Sequence, residues 1–563
     1  HEWVGGSHPD PHGIQLKTFL RVMKRLRSGE ISQVEMNVFH SMVYKTNRVV
    51  KAKEWKEILT AAYVWIDWAS MPQPSACPPS AGIEEKEKMG TDLGNAVKSI
   101  PACVIFSLSP SLHTPLKIYY SNRYVEKSDF VAIVAPGCLH ADRRYPDTKL
   151  RTKTCYRTYR GRGWCVLEVF AAYLSRDKQY PCLLITSKEG TPEWVSSLDT
   201  LNLSVGTSDF TCCQRNHIFG DRVVPCDRGI TRKILEGMIE AKVQHFFKLD
   251  HILRARLCTC LANWWLRTKS MPEENCSGSL ASFKTFLRWG EHDEKWVDQE
   301  GVPILFYAVL WNDIDVVREI LKTEFSTKSR LNETLFENGV VEFGIPAGFT
   351  VLHGSMCFAS VKIVEMLLEK GANPFVAERN GVDSLMLACT FGRTQNVKFW
   401  MSKFQDWDIN RGNIVNGSTA FHCAVYFGRN KMKTVQALLE SGRASLNVLN
   451  DGGASVLSNA VKSTDSNIDV VQYLLSQKLE YGVNHRRVAQ TTKWKLIYGL
   501  ARGLSRLGVA TSGLFAELAS ESGSTPLQYA VRRGDVEIVE LLMEYEANPS
   551  IKNDLGRDVL SYC

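Results

Sequence analysis

Apolar and small residues recur in a fixed order along the second half of the chain. From residue 300 onward, a large apolar residue is followed three positions later by a small one, and a second apolar pair with the same spacing follows in each unit. Residues three apart lie on one face of a helix, so each unit is predicted to be two short amphipathic helices. The first pairs are Leu305/Ala308, Leu352/Ser355, Leu385/Ala388, Phe421/Ala424, Leu457/Ala460 and Leu527/Ala530, and the second pairs are Val317/Ile320, Val364/Leu367, Val397/Trp400, Val435/Leu438, Val471/Leu474 and Val539/Leu542.

Glycines that precede these pairs set the period of the units. The interval from Gly348 to Gly381 is 33 residues, and that from Gly453 to Gly523 is 70. The longer interval leaves room for one degenerate unit, which we place at 476–521. Such units cannot bury their apolar faces singly, so a stack of about six or seven is predicted to form an elongated solenoid with a concave binding surface.

Short motifs in these units resemble the ankyrin repeat. Residues 350–353, 419–422 and 525–528 read Thr-Val-Leu-His, Thr-Ala-Phe-His and Thr-Pro-Leu-Gln, where that family has Thr-Pro-Leu-His. Residues 371–374 (Gly-Ala-Asn-Pro) and 546–549 (Glu-Ala-Asn-Pro) match the family's turn after the second helix. Glu546 replaces a glycine that tolerates positive φ, so its turn is predicted to be strained. The resemblance covers residues 296–563 and implies a protein partner on the concave face.

The first 210 residues have a different pattern, in which continuous apolar runs alternate with amphipathic stretches. The runs are 62–67, 103–108 and 182–185, and the stretches are 13–27, 91–100 and 164–174. Strands buried on both faces and alternating with helices are typical of parallel α/β sheets. We therefore predict a multidomain chain, with an α/β domain over 1–210 and an all-α region after it.

Two motifs of this domain resemble known families. Residues 164–169 (Trp-Cys-Val-Leu-Glu-Val) resemble the Trp-Cys-x-x-Glu-Leu motif of Toll/interleukin-1-receptor-like (TIR) domains. Residues 65–73 (Trp-Ile-Asp-Trp-Ala-Ser-Met-Pro-Gln) are similar to an element of fungal heterokaryon-incompatibility domains. Both families share a flavodoxin-like parallel sheet, which the resemblance implies here.

The combination of this domain with the repeats resembles large ankyrin proteins of dinoflagellate algae. In that group a Ser-His-Glu-Trp element ends the first strand, and His1-Glu2-Trp3 matches its last three residues. The resemblance therefore implies that the first strand of the sheet is absent from this chain.

The TIR resemblance also implies a candidate catalytic residue. In catalytic TIR domains the glutamate of the motif cleaves the nicotinamide–ribose bond of NAD, so Glu168 would stabilise the positive charge that builds on the sugar. Trp164 and Asp67 would then help to hold NAD as substrate. Against this, many TIR relatives are scaffolds, Arg162 can pair with Glu168, and an acid that closes a strand, such as Asp67, is usually a turn former. We therefore favour an adaptor, with an NAD glycohydrolase as the alternative.

Residues 211–295 are predicted to be a helical connector between the two regions. They carry an apolar stripe at helical spacing, which core packing explains better than a membrane-surface helix does. The stripe consists of Ile234, Met238, Phe246, Ile252, Leu253, Leu257 and Leu261.

The segment after the fifth helix pair is rich in basic residues. They are Arg486, Arg487, Lys493, Lys495, Arg502 and Arg506. A docking site for an acidic partner is one interpretation, but a solvated helix face is the one we favour.

Composition excludes several classes of function. The net charge of +8 is mild for 563 residues and no long Lys/Arg run is present, so no nucleic-acid partner is expected. The longest apolar stretches are too short to span a membrane. The 16 cysteines are scattered, which favours a reducing, cytoplasmic location. Cys212-Cys213 and Cys258-Thr-Cys260 lack a second pair at zinc spacing, so neither a metal nor a cofactor is expected.

Overall fold

The structure is a computed structural model of the chain. It describes residues 13–36, 38–60, 131–135, 156–175, 182–214, 216–219, 222–223, 226–267, 278–290, 293, 296–323, 328–428, 431–463, 467–508 and 513–562. The chain forms two compact units, one of residues 1–37 with 48–270 and the other of residues 38–47 with 271–563.

The described part of the first unit contains small sheets and the helices packed around them. The elements up to residue 266 are α1 (Ile14–Ser28), β1 (Gln33–Val34), α2 (Val38–Tyr44, part of the second unit), β2 (Val50–Lys51), α3 (Ala52–Thr60), β3 (Val131–Val134), α4 (Tyr156–Gly161), α5 (Gly163–Tyr173), β4 (Cys182–Ile185), β5 (Glu193–Trp194), α6 (Ser197–Leu201), a 3₁₀ turn (Val205–Thr207), α7 (Thr211–Gln214), β6 (Ile218–Phe219), β7 (Arg222–Val223), α8 (Asp227–Lys248) and α9 (Ile252–Leu266).

The central sheet of this unit has three described strands in the order β3-β4-β5. β3 and β4 pair in parallel, with Val131 opposite Cys182 and Val134 opposite Ile185, whereas β5 pairs with β4 in the antiparallel sense. All four residues of β4 are buried, as its continuous apolar run predicts for a strand covered on both faces.

Two tryptophans fix the apolar core on one side of this sheet. Trp55 from α3 and Trp194 from β5 are fully buried, and their rings stack with centroids 6.0 Å apart. They share one apolar cluster with Val22 and Leu26 of α1, which lie four positions apart on its inner face. The cluster therefore joins α1 and α3 to the sheet.

The long helices α8 and α9 pack against each other and against the rest of the first unit. α5 is buried along most of its length because it packs against both α8 and β4. Polar side chains reinforce the packing: Trp264 Nε1 donates to Leu201 O over 2.9 Å, and Lys242 Nζ donates to Ser175 O over 2.7 Å.

The predicted elements of the first 210 residues are confirmed where the structure describes them. The strand at 182–185 and the helices at 13–27 and 164–174 are present, and β4 has a parallel neighbour. The predicted strands at 62–67 and 103–108, the helix at 91–100 and the motif at 1–3 lie outside the described residues. The flavodoxin-like arrangement and the missing first strand stay predictions.

The second unit consists of paired short helices. Its elements after α2 are α10 (Leu280–Phe286), α11 (Ile304–Trp311), α12 (Ile314–Leu321), α13 (Lys328–Leu331), a 3₁₀ turn (Val341–Phe343), α14 (Val351–Phe358), α15 (Val361–Glu369), α16 (Ser384–Thr390), α17 (Thr394–Lys403), α18 (Ala420–Tyr426), α19 (Lys431–Glu440), α20 (Val456–Lys462), α21 (Ile468–Leu475), α22 (Thr492–Arg506), α23 (Gly513–Glu521), α24 (Pro526–Arg532), α25 (Val536–Glu544) and a 3₁₀ turn (Leu560–Tyr562).

Six helix pairs stack in sequence, as the periodicity predicts. The first helices α11, α14, α16, α18, α20 and α24 each pack on the next, and so do the second helices. Every large and small residue of the six first pairs is buried. The second pairs are buried too, except that Val539 is only half-buried and its neighbour Ile538 is fully buried in its place. Leu542 is fully buried as predicted, so only the first position of this pair differs from the prediction, by one residue.

A capping box begins three of the first helices. Thr350, Thr419 and Thr525 each accept a hydrogen bond from the backbone three residues on, and the side chain there accepts one in return. That third residue also reaches the next hairpin turn, since His353 Nε2 lies 3.0 Å from Val376 O and His422 Nε2 lies 3.1 Å from Ala454 O. The Thr-x-x-His motif thus ties two of the repeats to the turns that follow them.

The segment at 476–521 forms a helical hairpin. α22 and α23 pack on each other, while α20 packs directly on α24 and α21 directly on α25. Backbone hydrogen bonds join the two ends of this segment: Arg487 N donates to Ser524 O, and Gly523 N donates to Arg487 O. The sequence places a degenerate repeat here; in the structure the flanking repeats stack on each other and the segment lies beside the stack.

Candidate functional site

Backbone hydrogen bonds join the hairpin turns of neighbouring repeats into one continuous surface. Arg379 N donates to Ala347 O over 3.0 Å, and the same kind of bond recurs at the following turns. The later bonds run from Ile414 N to Asn380 O, from Asp451 N to Asn416 O and from Gln490 N to Asp451 O. We call the surface formed by residues 344–348, 378–381, 413–417 and 451–453 the turn face. Because its turns are bonded to one another, the turn face has a fixed shape.

Residues 38–47, which include α2, lie on this turn face. Tyr44 Oη donates to Gly344 O over 2.8 Å, and Asn380 Nδ2 donates to Val43 O over 3.1 Å. Met42 packs against an apolar cluster that contains Trp494 of α22 and further residues of α23. The segment therefore contacts two successive turns and the helical hairpin.

The segment is ordered by its own contacts as well. His40 is fully buried, and its ring lies 4.8 Å from that of Tyr44, four residues on in the same helical turn. Thr46 Oγ1 lies 3.4 Å from His40 Nε2. Burial lowers the pKa of His40 to about 4, so this imidazole is neutral at neutral pH.

The turn beneath the segment contains a buried acid. Glu378 accepts hydrogen bonds from Val382 N over 3.1 Å and from Asn380 Nδ2 over 2.9 Å. Burial raises the pKa of Glu378, while the hydrogen bonds and the charge of Lys45 oppose that rise. Asn380 thus bridges its own turn and residues 38–47.

Comparison with known protein families identifies these repeats. The family described as ankyrin repeats (3 copies) matches residues 385–486, and the family described as ankyrin repeat matches residues 522–554. The chain therefore contains ankyrin repeats at residues 385–486 and 522–554. The matched residues include the capping boxes at Thr419 and Thr525, and the helix pairs before residue 385 stack in the same way.

Curated relatives match parts of the chain. A putative E3 ubiquitin-protein ligase, XBAT31 of Arabidopsis thaliana, is 29% identical over 28% of this chain and 34% of its own length. A putative palmitoyltransferase, ZDHHC13 of Danio rerio, is 25% identical over 34% of this chain and 33% of its own length. The B-cell lymphoma 3 protein homolog of Mus musculus is 27% identical over 43% of this chain and 51% of its own length. The chain thus spans a third to a half of these relatives.

Among solved structures, the ankyrin repeat domain of Bcl-3, a member of the IkappaB protein family, is similar to this chain. It is 22% identical, with a TM-score of 0.31, over 47% of this chain and 95% of that domain. None of the helices that the structure describes has both the length and the apolar composition needed to cross a bilayer.

A buried ion cluster anchors the helical hairpin to the ankyrin stack. Glu521 of α23 binds Arg487 with a 2.7 Å ion pair and also pairs with Lys462 of α20. Arg487 donates further to Tyr529 Oη over 3.2 Å and to Gly452 O over 3.1 Å. Burial raises the pKa of Glu521, but the charges of Arg487 and Lys462 prevail and hold it at about 2. The carboxylate is therefore ionised inside the fold.

The basic segment is explained largely by contacts within the chain. Arg486 and Arg502 form ion pairs with Asp554 at 2.8 Å and 3.0 Å, and Arg506 donates to Asp554 O over 3.1 Å. The acids that balance these arginines come from other parts of the sequence, so a reading of the segment alone misses them. The favoured interpretation of a solvated helix face is therefore wrong for Arg487, which is buried in the ion cluster.

Glu168 lies on α5 and is hydrogen-bonded within the first unit. Its Oε2 accepts a hydrogen bond of 2.9 Å from Tyr159 Oη, and Tyr159 on α4 is buried. Burial, reinforced by the charge of Glu168, raises the pKa of Tyr159 well above its usual value, so the phenol remains a donor. The carboxylate is thus held by a buried partner from a neighbouring helix.

Trp164, which the TIR resemblance also implies, lies on α5 one helical turn before Glu168. Trp164 Nε1 donates to Asp227 Oδ2 over 3.0 Å at the start of α8. Asp67 lies outside the described residues. Roles for Glu168, Trp164 and Asp67 in NAD binding stay predictions.

The fold also brings together four residues that sequence reasoning did not combine. Cys212, Cys213, His217 and Cys226 have ligand atoms that all lie within 4.8 Å of one another. Cys212 is buried and the other three are half-buried. Their spacing, Cys-Cys-x3-His-x8-Cys, lacks the pair of cysteines two to four apart by which zinc sites are usually found.

Proposed function

We propose that this protein is an interaction scaffold whose ankyrin repeats bind a segment of a partner protein on the turn face. Ankyrin stacks present an extended surface, and the hydrogen bonds between neighbouring turns fix its shape before a partner arrives. A preformed surface lowers the entropic cost of binding. The proposal extends the protein-interaction role that the repeats themselves support.

The observation that carries the proposal is the placement of residues 38–47 on the turn face. A short helix of this chain binds there through Tyr44, the Val43 carbonyl and Met42. The contacts correspond to helix-in-groove recognition, in which a few anchors on one helix face supply specificity. We infer that a partner helix with an aromatic residue and a flexible apolar residue at similar spacing takes the same place.

Residues 38–47 would then compete with the partner. A segment tethered to its own binding surface acts at a high effective concentration, so a free partner must bind better than the segment to displace it. A partner that displaces the segment has to replace the contacts of Tyr44, the Val43 carbonyl and Met42. The resting protein would therefore be partly closed to its partner.

In this scaffold the first unit serves association with like domains or relay of the contact. The hydrogen bond from Tyr159 to Glu168 supports this use over NAD cleavage, because it engages the carboxylate that would have to meet the ribose. A cytoplasmic location remains part of the proposal.

The test uses the full chain with Met42→Ala and Tyr44→Ala combined, which removes two anchors of the segment. A fluorescent peptide of residues 36–49 should bind this variant and bind the wild type weakly, as measured by anisotropy. Proteins captured from a lysate by the variant should be released by an excess of the same peptide. Leu20→Ala, which truncates an exposed side chain of α1, should behave as the wild type.

Equal binding of the peptide by the wild type and the double variant would contradict the proposed competition. A separate assay distinguishes the scaffold from the alternative enzyme. Full-length protein incubated with NAD should release no nicotinamide, whereas a glycohydrolase would release it and lose that activity in Glu168→Ala.

A further inference from the structure

The segment between α7 and α8 gathers thiol and imidazole groups in one place. Cys212 and Cys213 lie on α7, His217 directly precedes β6, and Cys226 is the N-cap residue of α8. We propose that Cys212, Cys213, His217 and Cys226 bind one zinc ion as a structural site. Three thiolates and one imidazole form a ligand set that prefers zinc in tetrahedral geometry.

The distances fit such a site. Cys213 Sγ and Cys226 Sγ lie 3.6 Å apart. Two sulfurs bound to one zinc at about 2.3 Å in tetrahedral geometry lie roughly 3.8 Å apart, so little movement is needed. All four ligand atoms lie within 4.8 Å of one another, which leaves space for one ion among them. Each of the three cysteines is free in the structure.

His217 supplies an independent observation. Its Nδ1 is buried and has no hydrogen-bond partner among the described residues, a condition that native proteins avoid unless a ligand or ion completes the group. The backbone is also unusual here, because Asn216 and His217 both have positive φ, at 51° and 60°. Two consecutive non-glycine residues in the left-handed conformation indicate backbone strain, which the surrounding structure has to stabilise. Such strain is common at functional sites. A bound metal would sustain it.

The surroundings suit a negatively charged centre. Zinc with three thiolates carries one net negative charge, and Cys226 places it at the N-terminus of the 22-residue helix α8, where the helix dipole is positive. Asp227 N donates to Cys212 Sγ over 3.4 Å, a contact that stabilises a thiolate and orients it.

The site has a structural role in the first unit. Zinc there ties α7 and the β6–β7 hairpin to the start of α8, where Asp227 accepts the hydrogen bond from Trp164. All four ligands come from the protein, so the ion has no open position for substrate. The site therefore holds the N-terminal ends of α5 and α8 together and takes no part in chemistry.

The first experiment measures metal in the purified full-length protein. After dialysis against a weak chelator, elemental analysis should find about one zinc ion per chain. A mercurial that modifies thiols should release it, as followed with a colorimetric zinc indicator. A chain purified with reduced thiols that holds no zinc, and takes up none when zinc is added, would overturn the proposal.

Substitutions then assign the ligands. Cys213→Ser and His217→Ala should each lose most of the bound zinc, whereas Cys258→Ala, at a buried cysteine outside the cluster, should keep it. Should a ligand variant fail to fold, the wild type with cobalt in place of zinc gives the same information. Tetrahedral thiolate cobalt should appear as intense ligand-field absorption together with sulfur charge-transfer bands, and octahedral cobalt spectra would contradict a four-ligand site. A disulfide between Cys213 and Cys226 in freshly purified protein, detected as a mass loss reversed by reductant, would also overturn it.

Discussion

The two units of this protein are encoded in different ways. In the ankyrin repeats the same helix pair occurs six times, so the sequence shows six examples of each buried position. Among the described elements of the first unit none recurs, and its described core depends on single residues such as Trp55 and Trp194 that lie far apart in the chain. Because its pattern repeats, the stack can be predicted from the sequence. The core of the first unit does not repeat, so its contacts are known only from the structure.

The same contrast exists inside the second unit. The stacked pairs carry apolar residues at positions that recur in every repeat. The helical hairpin α22–α23 and residues 38–47 each occur once. These additions are held by polar contacts of long sequence separation, such as Arg487 with Glu521 and Tyr44 with Gly344. Like the core of the first unit, these additions depend on single contacts between residues that lie far apart in the chain.

The largest expected effect comes from breaking the ion cluster that holds the helical hairpin. Glu521→Ala leaves Arg487 and Lys462 buried without their acid, so we expect a loss of about 3–5 kcal/mol in the free energy of unfolding of the repeats. Urea unfolding read out by hydrogen exchange in α20 and α24 measures it. Glu440→Ala, which breaks the exposed 3.0 Å pair with Lys398, should cost less than about 1 kcal/mol. Similar losses in both variants would show that the hairpin is not anchored by charge.

The sequence predicts the stack because the physics of each repeat is local. The Thr caps, the leucines three residues before small residues and the strained turn at Glu546 all follow from short motifs, and the structure confirms them, with φ of 62° at Glu546. A degenerate repeat was predicted at 476–521 because the interval from Gly453 to Gly523, 70 residues, is close to two periods. Spacing alone could not distinguish a repeat from an inserted hairpin.

Contacts between distant residues could not be predicted in this way. Nothing in residues 38–47 marks them as belonging with residues 344 and 380, and their neighbours in sequence belong to the other unit. The cysteine and histidine cluster was missed because its four residues follow no common metal-binding spacing and lie on separate elements, α7, the turn before β6 and the start of α8. The spacing of apolar residues predicts helices and strands, but clusters of side chains from distant parts of the chain are found only in the folded structure.

A second prediction tests the register of the last repeat. Ile538→Ala should cost about 2–5 kcal/mol because Ile538 is fully buried, and Leu527→Ala should cost a similar amount. Val539→Ala should cost clearly less, since Val539 is half-buried. The periodic pattern alone assigns the buried position to Val539, so equal or reversed losses in thermal unfolding of these variants would restore the sequence register and contradict the structure.

A third prediction concerns pH and the capping boxes. Burial lowers the pKa of His353 and of His422 to about 4, from an ordinary value of 6.5. The unfolded chain therefore binds more protons than the folded one between these values, so stability is full above pH 6.5 and falls as the pH drops to about 4. The loss should approach about 3 kcal/mol for each histidine.

The chain contains its own control for this effect. Gln528 occupies the same capping-box position in the last repeat, donating to Ile551 O and Arg557 O over 2.9 Å, and it does not titrate. Replacing His353 and His422 together by glutamine should leave stability near pH 7 within about 1 kcal/mol and flatten its fall in acid. The difference between variant and wild type isolates these two residues from His40, whose pKa is also lowered. An unchanged pH profile would mean that other groups drive acid unfolding.

The smallest expected effect separates the turn at Glu546 from the helix before it. Glu546 is exposed and holds φ of 62°, a left-handed conformation that a side chain disfavours and glycine accepts. Glu546→Gly should therefore stabilise the last repeat by about 0.5–1 kcal/mol, since strain relief exceeds the entropy that glycine adds to the unfolded chain. The backbone contact from Asn484 Nδ2 to the carbonyl of residue 546 survives the change. Glu540→Gly, at an exposed position inside α25, should instead destabilise by about 1 kcal/mol. Denaturant midpoints of the two variants should thus move in opposite directions, and a shift of both toward lower denaturant would show that the left-handed turn carries no strain.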